Sequence, residues 1–107
     1  RDFKGCLGVV GGFMQPQAQL QILRNVVDRG MTAQQAVDAP RLRVLGNKEV
    51  GLEEGFDAAT AADLIERGHS VTGLSRFDCG GAQLILRTEA GLDGGSDRRK
   101  DGHVGMC

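Results

Sequence analysis

The sequence contains no tryptophan or tyrosine, and four phenylalanines supply its aromatic mass. It has no apolar run near the roughly 18 residues of a membrane span, so no membrane segment is expected in this chain. Neither charge is in excess, because 13 lysines and arginines stand against 14 aspartates and glutamates. Since modules that bind nucleic acid are usually basic, this balance argues against a nucleic-acid partner.

Sequence patterns for metals and cofactors are also missing. Cys6, Cys79 and Cys107 are far apart, form no CxxC pair and have no histidine at ligand spacing. A zinc site is therefore not expected, and the cysteines are interpreted as separate thiols, with a disulfide between two of them left open. The glycine-rich stretches match neither a phosphate-binding P-loop nor a dinucleotide fingerprint. We expect no metal and no cofactor.

Glycine, by contrast, is abundant, at 17 of 107 residues against a usual share of ~7%. Leu, Ile, Val and Phe make up 27 of the 107 residues, which is enough for a modest core. A small domain with few large side chains buries a low fraction of its surface, so we expect this one to pack against another surface. Arg1 follows no initiator methionine and opens no signal-peptide core, so the chain is expected to be part of a longer protein.

The hydrophobic pattern predicts an α+β domain in which helices and short strands alternate. The expected strands are 6–10, 42–45, 49–53, 70–74 and 82–87, with a short partner strand beginning at Leu92, and the expected helices are 17–28, 32–39 and 58–67. The second and third of these strands form a hairpin. The run from Leu84 to Leu86 predicts a strand buried on both faces, and residues 94–107 are expected to be loop or extended chain.

Two consecutive glycines, Gly11 and Gly12, follow the first strand directly and precede a helix. Without a Cβ, such residues can present backbone N–H groups to an anionic ligand or to a tetrahedral oxyanion. The alternative is a sharp strand-to-helix turn without a ligand, which the residues alone favour. Gly80 and Gly81 allow the same two interpretations, and the simple turn is favoured there more strongly.

Charged residues on the predicted strands give two further candidates. Arg41 and Arg43 alternate on one strand, where they form an anion site or, as is commoner, a solvated face. Glu53 and Glu54 are adjacent in sequence. Because neighbours on a strand point to opposite faces, these two glutamates are not expected to form a catalytic pair.

The polar tail holds the last candidates, Asp97 and Arg99. They either meet a ligand or partner, or they form side-chain bonds to the backbone that fix the tail, which is the commoner case. No serine, threonine or cysteine stands beside a histidine in a nucleophile arrangement. The residues by themselves therefore contain no complete active site.

Seven stretches, taken together and in order, resemble the γ-glutamyltranspeptidase family. They follow the family's order and spacing and extend over nearly the whole chain, and it is the ordered set that is specific. The stretches are GVVGGFMQPQ (8–17), DRGM (28–31), QAVDAPR (35–41), LEEGF (52–56), RGH (67–69), GGAQ (80–83) and GGSDRRKDG (94–102).

The resemblance implies an N-terminal-nucleophile hydrolase with a four-layer αββα sandwich. Members of the family are made as one inactive precursor that cuts itself into a large and a small subunit. The new N-terminal threonine of the small subunit attacks a γ-glutamyl amide such as glutathione, with its own α-amine as the base. A γ-glutamyl-enzyme forms, and water or an amino acid or peptide then takes the acyl group.

This chain resembles the distal part of the small subunit, so residues 1–107 are expected to be a single partial domain. The nucleophilic threonine and the residues that hold the glutamate α-carboxylate and α-amine then lie upstream, outside this chain. The resemblance places Gly11 and Gly12 in the oxyanion hole and reverses the preference for a simple turn. It implies a small γ-glutamyl substrate, with the large subunit and the rest of the small subunit as partners. The 107 residues alone are expected to be inactive.

Some positions depart from the family pattern. Val10 stands where many transpeptidases have proline. Residues 13–17 look like the branch that includes cephalosporin-acylase-like members, so the acyl group need not be γ-glutamyl. Arg98 and the pair Met106-Cys107 replace a proline and a tyrosine of the tail and bear on its packing.

Two other hypotheses stand beside the enzyme. One is a non-catalytic remnant or interaction module that kept the fold, and the other is a fragment with no independent existence. The compartment depends on sequence upstream of residue 1. A periplasmic or extracellular location fits a transpeptidase, and a cytoplasmic one fits the related branch.

Overall fold

A computed structural model describes residues 4–105, with the side chain of Arg76 excepted. These residues form six strands and three α-helices, joined by short loops. The strands are β1 (Gly5–Val10), β2 (Leu42–Gly46), β3 (Glu49–Glu53), β4 (Ser70–Leu74), β5 (Gly81–Thr88) and β6 (Gly91–Ser96), and the helices are α1 (Gln15–Val27), α2 (Ala33–Asp38) and α3 (Ala58–Glu66). Single turns of 3-10 helix span Gly12–Met14 and Arg76–Asp78.

The six strands form two sheets of three strands each. In the first sheet, β5 lies between β1 and β6 and pairs antiparallel with both. In the second sheet, β3 is central, antiparallel to β2 and parallel to β4. The helix α3 supplies the crossover that a parallel pair requires. The predicted α+β class and the predicted hairpin between β2 and β3 are confirmed.

The first sheet packs one face against α1 and α2. Leu84 and Leu86 of β5 lie there against Ile22 and Val37 of the two helices, and all four side chains are buried. The intervening side chain of Ile85 points to the opposite face and is 49% exposed. The prediction that β5 is buried on both faces is wrong for this chain, because the helices that contact this sheet within residues 4–105 pack on one face alone.

The opposite side of this sheet, here called the open face, mixes apolar and polar side chains, since Gln83 and Arg87 also lie on it. The tail covers part of it, with Lys100 against Gly81 and Val104 against Gly94. Strand alternation and the antiparallel register place Cys6, Val10, Ile85 and Leu92 on it together. Val10 is 58% exposed and Leu92 is 76% exposed. This face therefore exposes several large apolar side chains within a mixed surface.

The tail is more regular than predicted. Gly91–Ser96 form β6, which confirms the partner strand expected from Leu92 and shows that residues 94–96 are extended chain paired with β5. Glycines carry no hydrophobic pattern, yet their backbone pairs with β5, and the missing side chain brings α2 close. A Cβ on Gly95 would lie 2.6 Å from the carbonyl carbon of Ala33. Glycine at this position thus allows the helix to rest directly on the strand.

The helix ends largely follow the predicted capping signals. The Oγ1 of Thr32 accepts from the N–H of Gln35 and the Oε1 of Gln35 accepts from the N–H of Thr32, over 3.2 and 3.0 Å. Asp57 caps α3 by accepting from the N–H of Thr60 over 2.9 Å. Helix α1 begins two residues earlier than predicted, because Pro16 is accommodated in its first turn.

Cys6 and Cys79 are free thiols, and Cys79 is buried. Cys107 and Met106 lie outside the described residues. Within the described chain, no set of three or more His, Cys, Asp or Glu side chains is arranged to hold a metal ion. No helix in residues 4–105 has both the length and the apolar character to cross a membrane.

Candidate functional site

Gly11 and Gly12 form a tight turn between β1 and α1. Their φ angles are +139° and +60°, in the region that L side chains rarely adopt, so the backbone of this turn requires glycine. The N–H of Met14 closes the turn by donating to the carbonyl of Gly11 over 3.1 Å. Both glycines are exposed, so their backbone is open to a ligand.

The N–H of Gly11 points away from β5. Arg87 donates from its N–H to the carbonyl of Lys4 over 2.8 Å, and hydrogen-bonded pairs alternate along an antiparallel ladder. Val10 and Gly81 therefore form a bonded pair, and Gly11, one residue on, directs its N–H to the free edge of β1. Within residues 4–105, neither Gly11 nor Gly12 donates its N–H to another protein group.

The turn made by residues 79–82, here called the 79–82 turn, packs against this glycine pair. A Cβ on Gly80, whose φ is +70°, would lie 2.3 Å from the carbonyl oxygen of Val10. A Cβ on Gly11 would lie 2.9 Å from the Cα of Gly80. The two backbones are thus in direct contact, and Gly80 allows that contact because it has no side chain.

Behind the 79–82 turn lies a cluster of four buried charged residues, Arg41, Glu53, Asp97 and Arg99, here called the buried cluster. Their exposed fractions are between 1% and 8%. Glu53 belongs to β3, Arg41 directly precedes β2, and Asp97 and Arg99 follow β6. Because Asp97 also bonds to Ala82 of β5, the buried cluster joins the two sheets. Two guanidinium and two carboxylate groups balance in charge, which is the condition under which burying them is tolerable.

Asp97 is the central acceptor of the buried cluster. Its Oδ2 accepts from Nη2 of Arg41 over 2.6 Å and from the N–H of Ala82 over 2.9 Å. Its Oδ1 accepts from the N–H and Nη1 of Arg99 over 2.9 and 3.0 Å. Burial acts to raise the pKa of Asp97, but these hydrogen bonds and the charge of Arg41 hold that pKa below its usual range.

Arg41 ties the 79–82 turn to α2 and β3. Its Nη1 donates to the carbonyl of Cys79 and its Nη2 to the carbonyl of Val37, both over 2.9 Å. Its backbone N–H donates to Oε1 of Glu53 over 2.8 Å. The pKa of Glu53 lies below its usual range, because hydrogen bonds from Arg99 and from this N–H outweigh the effect of burial.

Arg99 completes the buried cluster from the tail. Its Nε donates to Oε2 of Glu53 over 2.7 Å, and its Nη2 bonds to Oε1 of the same carboxylate. Its guanidinium also donates to the carbonyls of Val37 and Ala39 over 2.7 and 3.0 Å. These are among the last carbonyls of α2, where a helix favours positive charge. The arginines therefore cap this helix as well as pairing with carboxylates.

Cys79 is a core residue and not a nucleophile. It is fully buried beside Met14 and Ala18. Burial and the neighbouring charge of Glu53 raise the pKa of Cys79 to about 12. Since the thiolate is the reactive form, this thiol is inert at neutral pH.

The structure corrects the interpretation of the predicted arginine face. Arg41 is buried rather than solvated, because it precedes β2 and turns inward to the carbonyls of Cys79 and Val37. Arg43 is half-buried and donates to the carbonyl of Asp78 over 2.9 Å. The hydrogen bonds that the side chains of these two arginines make within the described residues go to protein groups.

The tail fulfils the prediction that Asp97 and Arg99 bond within the protein. Glu53 is buried and Glu54 is exposed, as expected for strand neighbours. The pairing of Asp97 with Arg41, 56 positions away, had no signal in the sequence pattern. The contact between Gly80 and Gly11 was likewise missed, because two glycine turns give no sign that they meet.

The sequence of this chain matches that of known proteins. The γ-glutamyltranspeptidase family profile matches residues 1–107. The glutathione hydrolase-like YwrD proenzyme of Bacillus subtilis is 39% identical over 103 residues, which cover 89% of this chain and 20% of the relative. The chain thus spans about one fifth of the length of that curated relative.

Two solved structures share the fold. The cephalosporin acylase from Bacillus halodurans superposes with a TM-score of 0.86 at 40% identity, over 92% of this chain and 19% of that chain. The γ-glutamyltranspeptidase from Pseudomonas nitroreducens complexed with L-DON gives 0.82 at 26% identity, over 97% and 55%. These matches confirm the fold that the sequence resemblance implied.

Proposed function

This chain belongs to the γ-glutamyltranspeptidase family, and from that membership we propose that residues 1–107 form the C-terminal portion of the small subunit of an amide-cleaving enzyme. The curated relative is a proenzyme, which supports a precursor that matures by self-cleavage. The chain spans one fifth of that relative, so most of the proposed active site comes from sequence outside it.

The observation that carries this proposal is the pair of free N–H groups at Gly11 and Gly12. In the proposed reaction, an upstream threonine oxygen attacks the carbonyl carbon of a γ-glutamyl amide, and its α-amine takes the proton. The carbonyl oxygen becomes an oxyanion to which Gly11 and Gly12 donate. Each donor in such a hole contributes about 2.7–4 kcal/mol.

The second half of the reaction releases the acyl group. Collapse of the tetrahedral intermediate breaks the C–N bond, and the leaving amine takes the proton held by the α-amine. Water or the amine of an amino acid or peptide then attacks the ester carbonyl and gives a proton to the α-amine. The ester C–O bond breaks, and the threonine oxygen takes that proton as it leaves, which restores the enzyme. The same two N–H groups serve the second oxyanion, because it forms at the same carbonyl.

The open face supports the proposal that other parts of the enzyme cover this chain. Val10, Ile85 and Leu92 are 58%, 49% and 76% exposed on it. Large apolar side chains grouped on one face are typical of a surface that packs against another part of a protein. We assign the rest of the small subunit to this face, with the large subunit as the second partner, and we expect the 107 residues alone to be inactive.

A second candidate substrate class is favoured by one observation. The Bacillus halodurans structure, at 40% identity, is a cephalosporin acylase. Residues 13–17 of this chain also resemble that branch. An acyl side chain other than γ-glutamyl is therefore the alternative donor.

The test is a substrate panel on the complete polypeptide that carries these residues. Mass spectrometry first establishes whether the precursor is cut ahead of a threonine. Release of nitroaniline from γ-glutamyl-p-nitroanilide supports the leading proposal, and cleavage of a glutaryl amide alone supports the acylase alternative. A folded, uncut protein that cleaves neither supports a non-catalytic remnant. Turnover by the isolated 107 residues would contradict the proposal that most of the active site comes from sequence outside this chain.

A further inference from the structure

The buried cluster and the glycine pair are linked through a short path of direct contacts. Arg41 donates to the carbonyl of Cys79 at one end of the 79–82 turn. Asp97 accepts from the N–H of Ala82 at the other end, and its own N–H donates to the carbonyl of Ala82 over 3.1 Å. Arg41 and Asp97 are paired with each other over 2.6 Å. The turn is therefore held at both ends by one buried ion pair.

Between these two ends, the turn carries Gly80. Its backbone lies so close to Val10 and Gly11 that even a Cβ has no room, with 2.3 Å to the Val10 oxygen. Any shift of the turn toward β1 must then displace the Val10–Gly11 peptide. The Gly11 N–H belongs to that peptide, so its position depends on where the turn lies.

We propose that Arg41 and Asp97 are positioning residues for the N–H donor of Gly11, acting through the 79–82 turn. This inference rests on the proposed role of Gly11 and Gly12 as oxyanion donors. Neither charged side chain touches the reacting atoms. Their effect is geometric, because a donor misplaced by about 1 Å loses much of its value in the transition state.

A loss of positioning has a distinct kinetic signature. The oxyanion exists in the transition state and not in the bound substrate, so a misplaced donor lowers kcat and leaves KM nearly unchanged. A defect that is merely structural lowers the amount of folded enzyme instead. The measurements must therefore be made per mature active site, counted by the burst of released product, and well below the melting temperature.

The first test compares Gly80→Ala with Gly30→Ala in the complete protein. Both glycines have a similar left-handed φ, +70° and +64°, so the backbone strain of alanine is matched. A Cβ meets Val10 at the first position and nothing within 4 Å at the second. We expect kcat to fall roughly 10- to 100-fold in Gly80→Ala alone, with KM unchanged. Equal kcat values in the two variants would overturn the proposal.

If Gly80→Ala yields no mature enzyme, a second pair of variants tests whether Arg41 positions the Gly11 N–H. Arg41→Lys keeps the charge, but a single ammonium nitrogen cannot reproduce the two separate Nη positions from which Arg41 bonds to Cys79, Val37 and Asp97. Arg99→Lys perturbs the same buried cluster, yet Arg99 donates to no atom of the 79–82 turn. We expect both to lower the melting temperature and Arg41→Lys alone to lower kcat, by roughly 10-fold. Equal losses of kcat would contradict a positioning role.

The outcomes separate this inference from the proposed function. If the unmodified protein cleaves no amide in the substrate panel, the proposed function fails and with it the premise. If the unmodified protein is active but kcat does not distinguish the members of either pair, the enzyme stands and positioning by Arg41 and Asp97 is wrong.

Discussion

Alanine at Gly11 and alanine at Gly12 are expected to have different effects on catalysis. At Gly11 a Cβ would lie 2.9 Å from the Cα of Gly80, whereas ordinary contacts begin at 3.4 Å, so the backbones must separate by about 0.5 Å. The φ of +139° adds strain of about 1–3 kcal/mol. At Gly12 the Cβ meets nothing within 4 Å and φ is +60°, which alanine adopts at lower cost.

These values predict the size of the kinetic effect. Complete loss of one oxyanion donor lowers kcat about 100- to 1000-fold. A displacement near half an ångström removes part of the stabilisation that this donor gives the oxyanion. We therefore expect kcat of Gly11→Ala to fall roughly 10- to 100-fold, which corresponds to a rise of about 1.4–2.7 kcal/mol in activation free energy. Gly12→Ala keeps its N–H in place and should change kcat by less than about 3-fold.

The assay is steady-state hydrolysis by the mature full-length enzyme, normalised to active sites, with circular dichroism to confirm the fold. Gly91→Ala is the matched control, since Gly91 has a φ of +134°, close to that of Gly11, and a Cβ there meets nothing within 4 Å. A Gly11→Ala enzyme that folds, matures and turns over within twofold of the unmodified enzyme would refute the assignment of its N–H to the oxyanion hole.

Three further outcomes are expected. Leu84→Ala, at a side chain 1% exposed, should lower the free energy of unfolding by about 2–5 kcal/mol in denaturant titrations, and a loss under about 1 kcal/mol would contradict its place in the core. The pKa of Asp97 in the folded protein is below the ordinary 3.8, so the ionised carboxylate stabilises the fold above that pH and this stabilisation is lost as pH falls through the folded pKa. Asp97→Asn should therefore flatten the decline of the melting temperature in acid. An unchanged slope would count against the pairing of Asp97 with the arginines. Cys79, with its pKa raised to about 12, should react with iodoacetamide at neutral pH only after denaturation, and rapid labelling of the native protein would show that it is not buried.

The elements with a periodic hydrophobic pattern were predictable from sequence. Strand β3 and β4 match the predicted bounds, because short apolar runs between glycine and polar turns determine them. The capping residues Thr32 and Asp57 also act as predicted, since capping depends on residues three positions apart. Local information was sufficient for these features.

The features that could not be predicted from the sequence depend on contacts between residues that are distant in the chain. The end of strand β6 could not be predicted, because its glycines have no side chains to form a pattern and pairing with β5 determines how far it runs. The burial of Arg41 depends on Asp97, which no local pattern connects to it. The residues made Gly11 and Gly12 candidates, but only the resemblance to a family favoured the oxyanion hole over a simple turn, since an exposed glycine turn by itself has many uses.

The buried cluster also bears on the order of events in folding. Arg41 and Asp97 are 56 positions apart, and Glu53 and Arg99 are 46 apart. Closing loops of that length costs chain entropy before the contact stabilises anything, so we expect these pairs to form late in folding. Interactions absent from the folding transition state act mainly on the unfolding rate. We therefore expect the bonds of the tail to lower the rate at which the two sheets separate, and to have less effect on the rate at which they assemble.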